Sequence, residues 1–399
     1  MRSLLGLVCA QAVAICAFVE SPAQAYEVFA TNVFSPAEED ADPGLTGLMK
    51  VDLTTGVATS FLPENSESGF FLMTDVAVSP LDGMVYVGTQ LGGLFRFDAV
   101  TGAPLANEPG GFFMQMFGAA NDLEFAPDGT LYVAEIGETS SVAVVDPQGV
   151  RQANAVSDIA FISGIGLKPN GDLLIANGGL QAPGEVLQWD GANLTTFDNT
   201  NFGGILDITL LTPSGDYDRS GTTNTADYDA WAADYGDSSG GPTDGNGDGV
   251  VNAADYTLWR DHEGDESRAL VTDFFANLVN SFAVDGTDRQ YLVPFVPPQF
   301  PSELPPNSDF FSNFPSEVIL SPNDTLLVST LGLTRRPDNR ASILEYDRDG
   351  NLLGVLADGL PPISGIALAP SGVGVATVPE PATVVLALIA AAAACRRAS

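Results

Sequence analysis

The sequence has few of the residues on which disulfides, zinc sites and many hydrolytic mechanisms depend. It contains three cysteines and one histidine in 399 residues. Cys9 and Cys16 lie in an apolar N-terminal segment and Cys395 lies near the C-terminal end, so the body of the chain has no cysteine for a disulfide. The single histidine, His262, excludes most zinc sites and any Ser-His-Asp or Cys-His mechanism elsewhere in the chain. These absences favour a protein that is not an enzyme.

Basic residues are also scarce. The chain has 15 Lys and Arg against 51 Asp and Glu, which gives a formal net charge of -36. Such a surface repels phosphate backbones and excludes nucleic acid as a partner, whereas cations are suitable ligands. Because 45% of the residues are hydrophobic, the chain can still bury a full core, and we expect one large globular domain with a smaller unit.

The N-terminus has the three regions of a secretory signal peptide. Arg2 is followed by an apolar run over residues 4–19 and by small residues at 23–25. The sequence therefore predicts a signal peptide over residues 1–25, cleaved before Tyr26, and a secreted protein.

Near the C-terminus lies a short apolar segment with distinctive flanks, which is expected to be helical. Residues 379–381 read Pro-Glu-Pro, an apolar run covers 383–394, and Arg396 and Arg397 follow. The run is shorter than the roughly 20 residues of a stable bilayer span, so a plain membrane anchor is the less favoured interpretation. This order resembles the PEP-CTERM sorting signal. The resemblance implies that an exosortase cuts residues 378–399 after transient membrane contact, during export to the cell envelope, cell surface or extracellular matrix.

The body of the chain repeats one pattern of three strands. Each copy has an apolar alternating strand that ends in proline, a tight turn with Asn, Asp or Gly, a second strand, and a third strand that ends in Asp before a Gly turn. The first strands end at Pro80, Pro127, Pro169, Pro213, Pro322 and Pro370, and the third strands end at Asp98, Asp146, Asp190, Asp285 and Asp347. Period-2 alternation indicates antiparallel strands, and a repeat of about 45 residues is typical of a four-stranded propeller blade.

The chain begins and ends inside a blade. Residues 26–31 form a second strand, 48–52 a third, and 364–370 a first strand. Joining them completes one blade from both termini, so we predict a mainly β fold, a six-bladed β-propeller closed by N- and C-terminal strands. Residues 371–377 could instead supply a second strand, which would change the number of blades. The Pro-Asp-Gly-centred hairpins resemble those of NHL and gluconolactonase-like propellers.

One blade is interrupted by an insert. The strand that ends at Pro213 has no second strand until residues 268–273. Removing residues 214–266 restores the period, so we expect two propeller parts, 26–213 and 267–377, around a small unit placed in an exposed turn.

The insert contains two acidic loops with the spacing of EF-hand calcium sites. Calcium takes six to eight oxygen ligands, and this spacing supplies them from positions 1, 3, 5, 7, 9 and 12, with glycine at position 6 for the turn. The predicted calcium ligands of loop one (residues 216–227) are Asp216, Asp218, Ser220, Thr222, Asn224 and Asp227, and those of loop two (residues 244–255) are Asp244, Asn246, Asp248, Val250, Asn252 and Asp255. Thr222 and Val250 would contribute backbone carbonyls, and the two asparagines would bind directly or through water.

The tandem loops, with Asp at position 12 and a short helix after each, resemble a type I dockerin over about residues 215–264. The resemblance implies a helical module that folds on binding calcium and docks onto a cohesin domain. Positions 10 and 11 are Thr225-Ala226 and Ala253-Ala254, where many cohesin-binding dockerins have paired hydroxyl residues. Two roles therefore stay open for this module: docking to a cohesin-like partner, and a structural or adhesive role on envelope polysaccharide.

Four aromatic residues follow the loops at matching positions. Tyr228 and Trp231 follow loop one, and Tyr256 and Trp259 follow loop two. At spacing i and i+3 on short helices, they are expected to form the core of the small module. A sugar-binding aromatic platform is the alternative.

The first strands also predict an acidic channel. First strands of a propeller begin near the central channel, so the residue five before each proline should face one mouth. These positions are Asp75, Asp122, Gly164, Glu317 and Gly365, with Asp207 displaced by one. The carboxylates could bind a divalent ion, as in the lactonases that the arrangement resembles, or accept backbone N–H bonds at the strand starts.

Two functions follow from these features. The favoured one is a secreted, envelope- or matrix-associated calcium-binding propeller that acts as a binding and attachment module in polysaccharide assembly or breakdown. The alternative is a secreted metal-dependent hydrolase, lactonase or lyase of polysaccharide catabolism that carries its dockerin as a tag.

Overall fold

The computed structural model describes residues 26–32, 47–62, 72–178, 184–238, 241–246, 249–274, 276–294, 314–331 and 341–370. The predicted signal peptide, the predicted sorting signal and the alternative strand at 371–377 lie outside these residues.

The described chain forms six four-stranded antiparallel sheets, and two helices lie between the fifth sheet's first two strands. The first three sheets contain β1 (Glu27–Asn32), β2 (Leu48–Asp52) and β3 (Val57–Ser60) with the C-terminal strand β24 (Ile363–Leu368); β4 (Met73–Val78), β5 (Met84–Thr89), β6 (Gly93–Asp98) and β7 (Phe112–Gln115); and β8 (Ala119–Phe125), β9 (Leu131–Ile136), β10 (Ser140–Val145) and β11 (Val156–Ile159). The other three contain β12 (Ile162–Leu167), β13 (Leu173–Asn177), β14 (Gly184–Trp189) and β15 (Leu194–Phe202); β16 (Ile205–Leu211), β17 (Arg268–Asp273), β18 (Leu278–Ala283) and β19 (Gln290–Pro294); and β20 (Pro315–Leu320), β21 (Leu326–Thr330), β22 (Ala341–Tyr346) and β23 (Leu352–Leu360). The helices are α1 (Thr225–Asp234) and α2 (Ala253–Asp261).

The sheets are the blades of a six-bladed β-propeller, as predicted. Blade 1 has the strand order β24-β1-β2-β3, so the C-terminal strand is its innermost strand and the other three come from the N-terminus. Val28 pairs with Leu368, and the Ala369 N–H donates to the Glu27 carbonyl at 2.9 Å. The ring therefore closes by main-chain hydrogen bonds between the two ends of the described chain, which confirms the predicted closure.

The core lies between adjacent blades. The middle strands are the most buried because both of their faces are covered; β5, for example, is buried along its whole length. A typical cluster joins Phe29 and Leu48 of blade 1 to Met73, Val76 and Val85 of blade 2. The alternating apolar side chains of the sequence thus pack blade against blade.

The innermost strands run in the same direction around a central channel. We call the end at which they begin the amino face and the end at which they finish the carboxyl face. Residues at the amino face include Thr74, Asn121, Ser163, Ser316 and Ser364, and residues at the carboxyl face include Pro127, Pro169 and Thr212. Because the insert follows β16, the two helices lie at the carboxyl face. Neither helix in the described chain is long and apolar enough to cross a membrane.

Candidate functional site

Loop one folds around its own aspartates. The Asp216 carboxylate accepts a hydrogen bond from the Gly221 N–H at 2.8 Å. Gly221 has φ 90°, a left-handed conformation that a glycine adopts without strain. Asp227 is fully buried and accepts the N–H groups of Asp218 at 2.9 Å and Asn224 at 2.8 Å. These bonds bring positions 1, 3 and 12 of the loop to one point.

Loop two has the same backbone pattern. The Asp244 carboxylate accepts a hydrogen bond from the Gly249 N–H at 2.8 Å, and Gly249 has φ 87°. Asp255 is fully buried and accepts the N–H groups of Asn246 at 3.1 Å and Asn252 at 2.7 Å. The match between the loops extends from sequence spacing to individual hydrogen bonds.

The asparagines at position 9 are helix N-caps. The side-chain oxygens of Asn224 and Asn252 each accept the backbone N–H two residues on, at 2.8 Å, and each asparagine belongs to a capping box. Their side-chain amides donate to the position 7 carbonyls of Thr222 and Val250, each at 2.8 Å. Each asparagine oxygen accepts one hydrogen bond and keeps a second lone pair, so the direct and the water-mediated roles expected from sequence both stay open. In loop one the Ser220 hydroxyl also donates to Thr222 O, at 3.2 Å.

The donor set of loop one suits a hard divalent cation. Carboxylate oxygens of Asp216, Asp218 and Asp227 lie within 4.8 Å of one another, and this is the one group of three or more such ligands in the part of the chain that the structure describes. Within the same residues, no basic side chain pairs with these three aspartates or with Asp255. Buried carboxylates without a counter-charge are costly, and a bound cation would remove that cost. The predicted ligand Asp248 lies outside the described residues.

Two tryptophans connect the loops reciprocally. The Trp231 indole N–H, after loop one, donates to the Asn252 carbonyl in loop two at 2.9 Å, and the Trp259 N–H donates to the Asn224 carbonyl at 2.6 Å. The rings of Tyr228, Trp231, Tyr256 and Trp259 contact one another at centroid distances of 5.1 to 6.2 Å. The four rings therefore pack on one another between the two helices, and each loop is held by the helix that follows the other loop. The expected core position holds fully for Trp259, which is buried, whereas Trp231 and Tyr256 are half-buried and Tyr228 is 39% exposed.

The insert is bonded to the propeller near blade 6. Asp324, in the turn before β21, accepts the Ser214 hydroxyl at 2.6 Å and the Arg348 Nε at 2.7 Å. His262 lies between the two units, with Nδ1 2.9 Å from Asp265 and Nε2 3.6 Å from Asp324. These contacts hold the insert close to the propeller.

The structure also brings together the predicted acidic residues of the channel. Asp75, Asp122, Asp207 and Glu317 line one cavity of about 230 Å³ that opens at the amino face. In every blade the innermost strand has one extra residue relative to the second strand with which it pairs. This β-bulge lies at or next to the position that faces the channel, and it turns the strand. The bulges explain why one position in each blade reaches the channel.

Each channel carboxylate accepts a backbone N–H from the next blade. The donors are Leu123 to Asp75 at 2.8 Å, Ile165 to Asp122 at 2.5 Å, Val318 to Asp207 at 3.5 Å and Ile366 to Glu317. This matches the alternative in which the carboxylates accept backbone hydrogen bonds, with the donors supplied by the neighbouring blade. The four side chains thus form hydrogen bonds that connect neighbouring blades.

The environment of the channel favours protonated carboxyls. Burial, with a smaller contribution from neighbouring carboxylates, raises the pKa of Asp75 to about 7 and the pKa of Asp207 to about 8. The same causes raise the pKa of Asp122 and of Glu317 well above the usual values, and the Asp122 carboxyl hydrogen bonds to Asp75. Near neutral pH these groups share protons instead of carrying four full charges.

Two blades have glycine in place of a channel carboxylate, because the next blade approaches too closely for a side chain. A Cβ on Gly164 would lie 2.8 Å from the Cα of Asp207. Gly164→Ala should lower the free energy of unfolding by about 1–3 kcal/mol, since backbone must move. Gly354→Ala is the matched control, because nothing lies within 4 Å of a Cβ there. Urea unfolding of both variants measures the difference, and equal stabilities would contradict the close approach.

Sequence reasoning missed two sets of residues around the channel. Thr74, Asn121, Ser163, Ser316 and Ser364 line the same cavity, each one residue before a position named above. Glu124, two residues after Asp122, has a pKa raised to about 8 by burial and by Asp122 and Asp207. The signal was available, because residues two apart on a strand share a face and Glu124 therefore shares one with Asp122.

Comparison with known proteins shows the fold and no family. No family model and no curated protein matches the chain. Among solved structures, the chain is similar to one in a nidogen/laminin complex, with 12% identity, a TM-score of 0.54, and coverage of 87% of this chain and 99% of the other. A second, of a protein of unknown function from Bacteroides caccae, has 12% identity, a TM-score of 0.49, and coverage of 86% and 99%. The first likeness supports the propeller architecture.

Proposed function

We propose that this chain is a secreted, envelope- or matrix-associated β-propeller that binds two calcium ions in its insert and acts as a binding and attachment module. The observation that carries the proposal is the pair of loops with the same hydrogen bonds at the same positions. Asp227 and Asp255 are both fully buried and both accept two backbone N–H groups. The propeller supplies a rigid platform for such a module.

The first test concerns calcium and the insert. Titration of the purified protein should show two bound calcium ions. Chelation should make residues 214–266 sensitive to protease while the propeller stays folded, because repulsion among the loop aspartates opens the insert and the blades have their own core. Calorimetry, circular dichroism and limited proteolysis with and without chelator measure these effects. Identical digestion in both conditions would contradict the proposal.

The second test concerns the partner. The resemblance to dockerins supports docking to a cohesin-like domain, whereas alanines at Ala226, Ala253 and Ala254 leave room for an adhesive role on envelope polysaccharide. A pull-down from the envelope of the producing cell, with and without calcium, separates these roles. Recovery of a protein partner only with calcium supports docking, and recovery of polysaccharide alone supports adhesion. Sequencing the secreted protein's termini would test the cleavages proposed before Tyr26 and near residues 378–399.

The geometry does not favour the alternative of metal-dependent catalysis in the channel. Within the described residues, the carboxylates of Asp75, Asp122, Asp207 and Glu317 do not form a group of three with all ligand atoms within 4.8 Å. Each also accepts a backbone hydrogen bond from the next blade. Assays for lactonase, lyase and glycosidase activity would test this: turnover that is lost in Asp122→Asn or Glu317→Gln would replace the binding function by an enzymatic one.

A further inference from the structure

Loop one lies where the insert joins blade 5, the blade that contains β16 to β19. β16 ends at Leu211 and β17 begins at Arg268, and these two residues pair with each other across the two strands. The backbone N–H of Asp216 donates to the Pro213 carbonyl at 3.3 Å. The first predicted ligand of loop one is thus bonded to the chain that leaves β16.

The second half of loop one pairs with the chain that leads into β17. The N–H of Thr223, at position 8, donates to the Asp265 carbonyl at 3.0 Å, and the Ser267 N–H donates to the Gly221 carbonyl at 2.7 Å. An antiparallel bridge lies between these two bonds. Since Ser267 directly precedes β17, these backbone bonds, which we call the base ladder, run from the calcium loop into blade 5.

Asp216 connects the base ladder to the predicted metal position. Its carboxylate accepts the Gly221 N–H at 2.8 Å, and the Gly221 carbonyl accepts the bond from Ser267. Carboxylate oxygens of Asp216, Asp218 and Asp227 lie within 4.8 Å of one another, so without a cation they repel each other. A bound cation removes this repulsion and holds Asp216, and with it the backbone to which the start of β17 is bonded.

Side-chain contacts place loop one against two further blades. A Cβ at Gly221 would lie 3.0 Å from Cγ of Pro169, in the turn after β12 of blade 4. Thr223 is fully buried, and its hydroxyl donates to the Ser214 carbonyl at 3.1 Å. The Ser214 hydroxyl in turn donates to Asp324 of blade 6 at 2.6 Å. The base of loop one therefore lies among blades 4, 5 and 6.

Loop two makes the equivalent backbone bonds inside the insert. Val251, at position 8 of loop two, donates its N–H to the Asp237 carbonyl at 2.8 Å and accepts the Gly236 N–H at 2.9 Å. These partners follow α1, and the chain after α1 leads to loop two instead of to a blade. Among the described residues, nothing lies within 4 Å of a Cβ at Gly249, the counterpart of Gly221. The two loops share one backbone pattern but have different surroundings.

We propose that the two calcium sites have different roles: a cation in loop one holds the insert on blade 5 and opposes the opening of β16 from β17, whereas a cation in loop two stabilises the insert. This inference rests on the proposed function, since it needs both loops to bind calcium. Joining two paired strands through residues 212–267 has an entropic cost, and the base ladder shortens the loop that must close. Opening of the two strands breaks the base ladder and weakens the hold on the cation of loop one, so by linkage calcium opposes the opening.

Hydrogen exchange of the full chain, followed by mass spectrometry, tests the two roles. At a free calcium concentration of about 100 times the dissociation constant of loop one, β17 should exchange at least about 10-fold more slowly than in chelator. β9 of blade 3 is the internal reference and should change less, because it lies away from the insert. Calcium titration of the same sample counts the bound ions.

Equivalent substitutions in the two loops separate their effects. Asp227→Ala should abolish the calcium-dependent slowing of β17, whereas Asp255→Ala should keep it at calcium concentrations that fill loop one. Each variant is compared with itself in calcium and in chelator, so that a general loss of stability cancels. If Asp227→Ala does not fold, Gly221→Ala and Gly249→Ala replace the pair. These glycines have φ of 90° and 87°, so alanine strains both loops alike, and only Gly221→Ala should reduce the effect on β17.

The outcomes distinguish failure of this inference from failure of the proposed function. Two bound calcium ions with unchanged exchange of β17 overturn the inference and leave the proposed function intact. Equal loss of the effect in Asp227→Ala and Asp255→Ala overturns the separate roles. Slowing of β9 as large as that of β17 overturns the local link between loop one and blade 5. A titration without bound calcium refutes the proposed function, and this inference with it.

Discussion

Replacing Asp227 with alanine should weaken calcium binding at loop one by on the order of 100-fold or more. Asp227 is the predicted position 12 ligand and also accepts the N–H groups of Asp218 and Asn224. The substitution therefore removes ligand oxygens and leaves two backbone donors without their partner in a buried place. Calorimetric calcium titration should show one tight site instead of two.

Two matched variants make this result specific. Asp229→Ala removes the same charge from an exposed position of α1 and should leave both sites intact. Asp255→Ala makes the equivalent change in loop two. Because Trp231 and Trp259 each bond to the opposite loop, either loop variant should also weaken the remaining site by a smaller factor. Two tight sites in Asp227→Ala would show that loop one is not a calcium site.

Raising the pH from about 6 to about 9 should destabilise the propeller, lowering its melting temperature by about 5 °C. The folded pKa of Asp75 is about 7 and that of Asp207 about 8, both above the usual value of an unfolded aspartate. Groups with raised pKa stabilise the fold fully at low pH, and this contribution is lost as the pH rises through the folded pKa. Thermal unfolding in excess calcium measures the effect.

The composition makes this pH test clean. The chain has a single histidine, and its three cysteines lie in the two terminal segments, so the groups of the propeller that titrate in this window are mainly its buried carboxyls, which include Asp122, Glu124 and Glu317 beside Asp75 and Asp207. Asp207→Asn has a neutral side chain of the same shape and should reduce the pH dependence, whereas Asp285→Asn, in an exposed turn, should not. A slope in Asp207→Asn that equals the slope of the parent chain would show that the channel does not hold protons.

The sequence was sufficient to predict the propeller because its repeat is local. Each blade is a set of short antiparallel strands joined by tight turns, and the proline and Asp-Gly positions mark the ends of these strands. The closure of the ring could also be predicted. The N-terminal segment begins with a second strand and the C-terminal segment ends with a first strand, and together they complete one blade. The repeat also predicted that Asp207 faces the channel, although it lies one residue further from its proline than the equivalent residues do. The structure confirms this position, and Val318 of the next blade donates its N–H to Asp207.

Other properties depend on contacts between distant parts of the chain and could not be predicted. The spacing of the loops indicates calcium ligands, but the bonds from Trp231 to Asn252 and from Trp259 to Asn224 require the two helices to be placed. At the carboxyl face, Arg219 of the insert and Glu124 of the propeller line one cavity of about 680 Å³, and this cavity forms only when the insert folds back on that face. No local sequence pattern predicts that the insert folds back in this way.

The closing blade makes the molecule directional. The Ala369 N–H donates to the Glu27 carbonyl just after β24 finishes, at the carboxyl face. Both ends of the described chain therefore lie at that face. The insert leaves β16 at the same face. The two ends of the propeller and the insert thus share the carboxyl face. The mouth of the channel that Ser163 and Ser364 line lies at the opposite, amino face. A tether, tag or surface coupled to either end would orient every copy alike, with the hydroxyl-lined mouth turned outward.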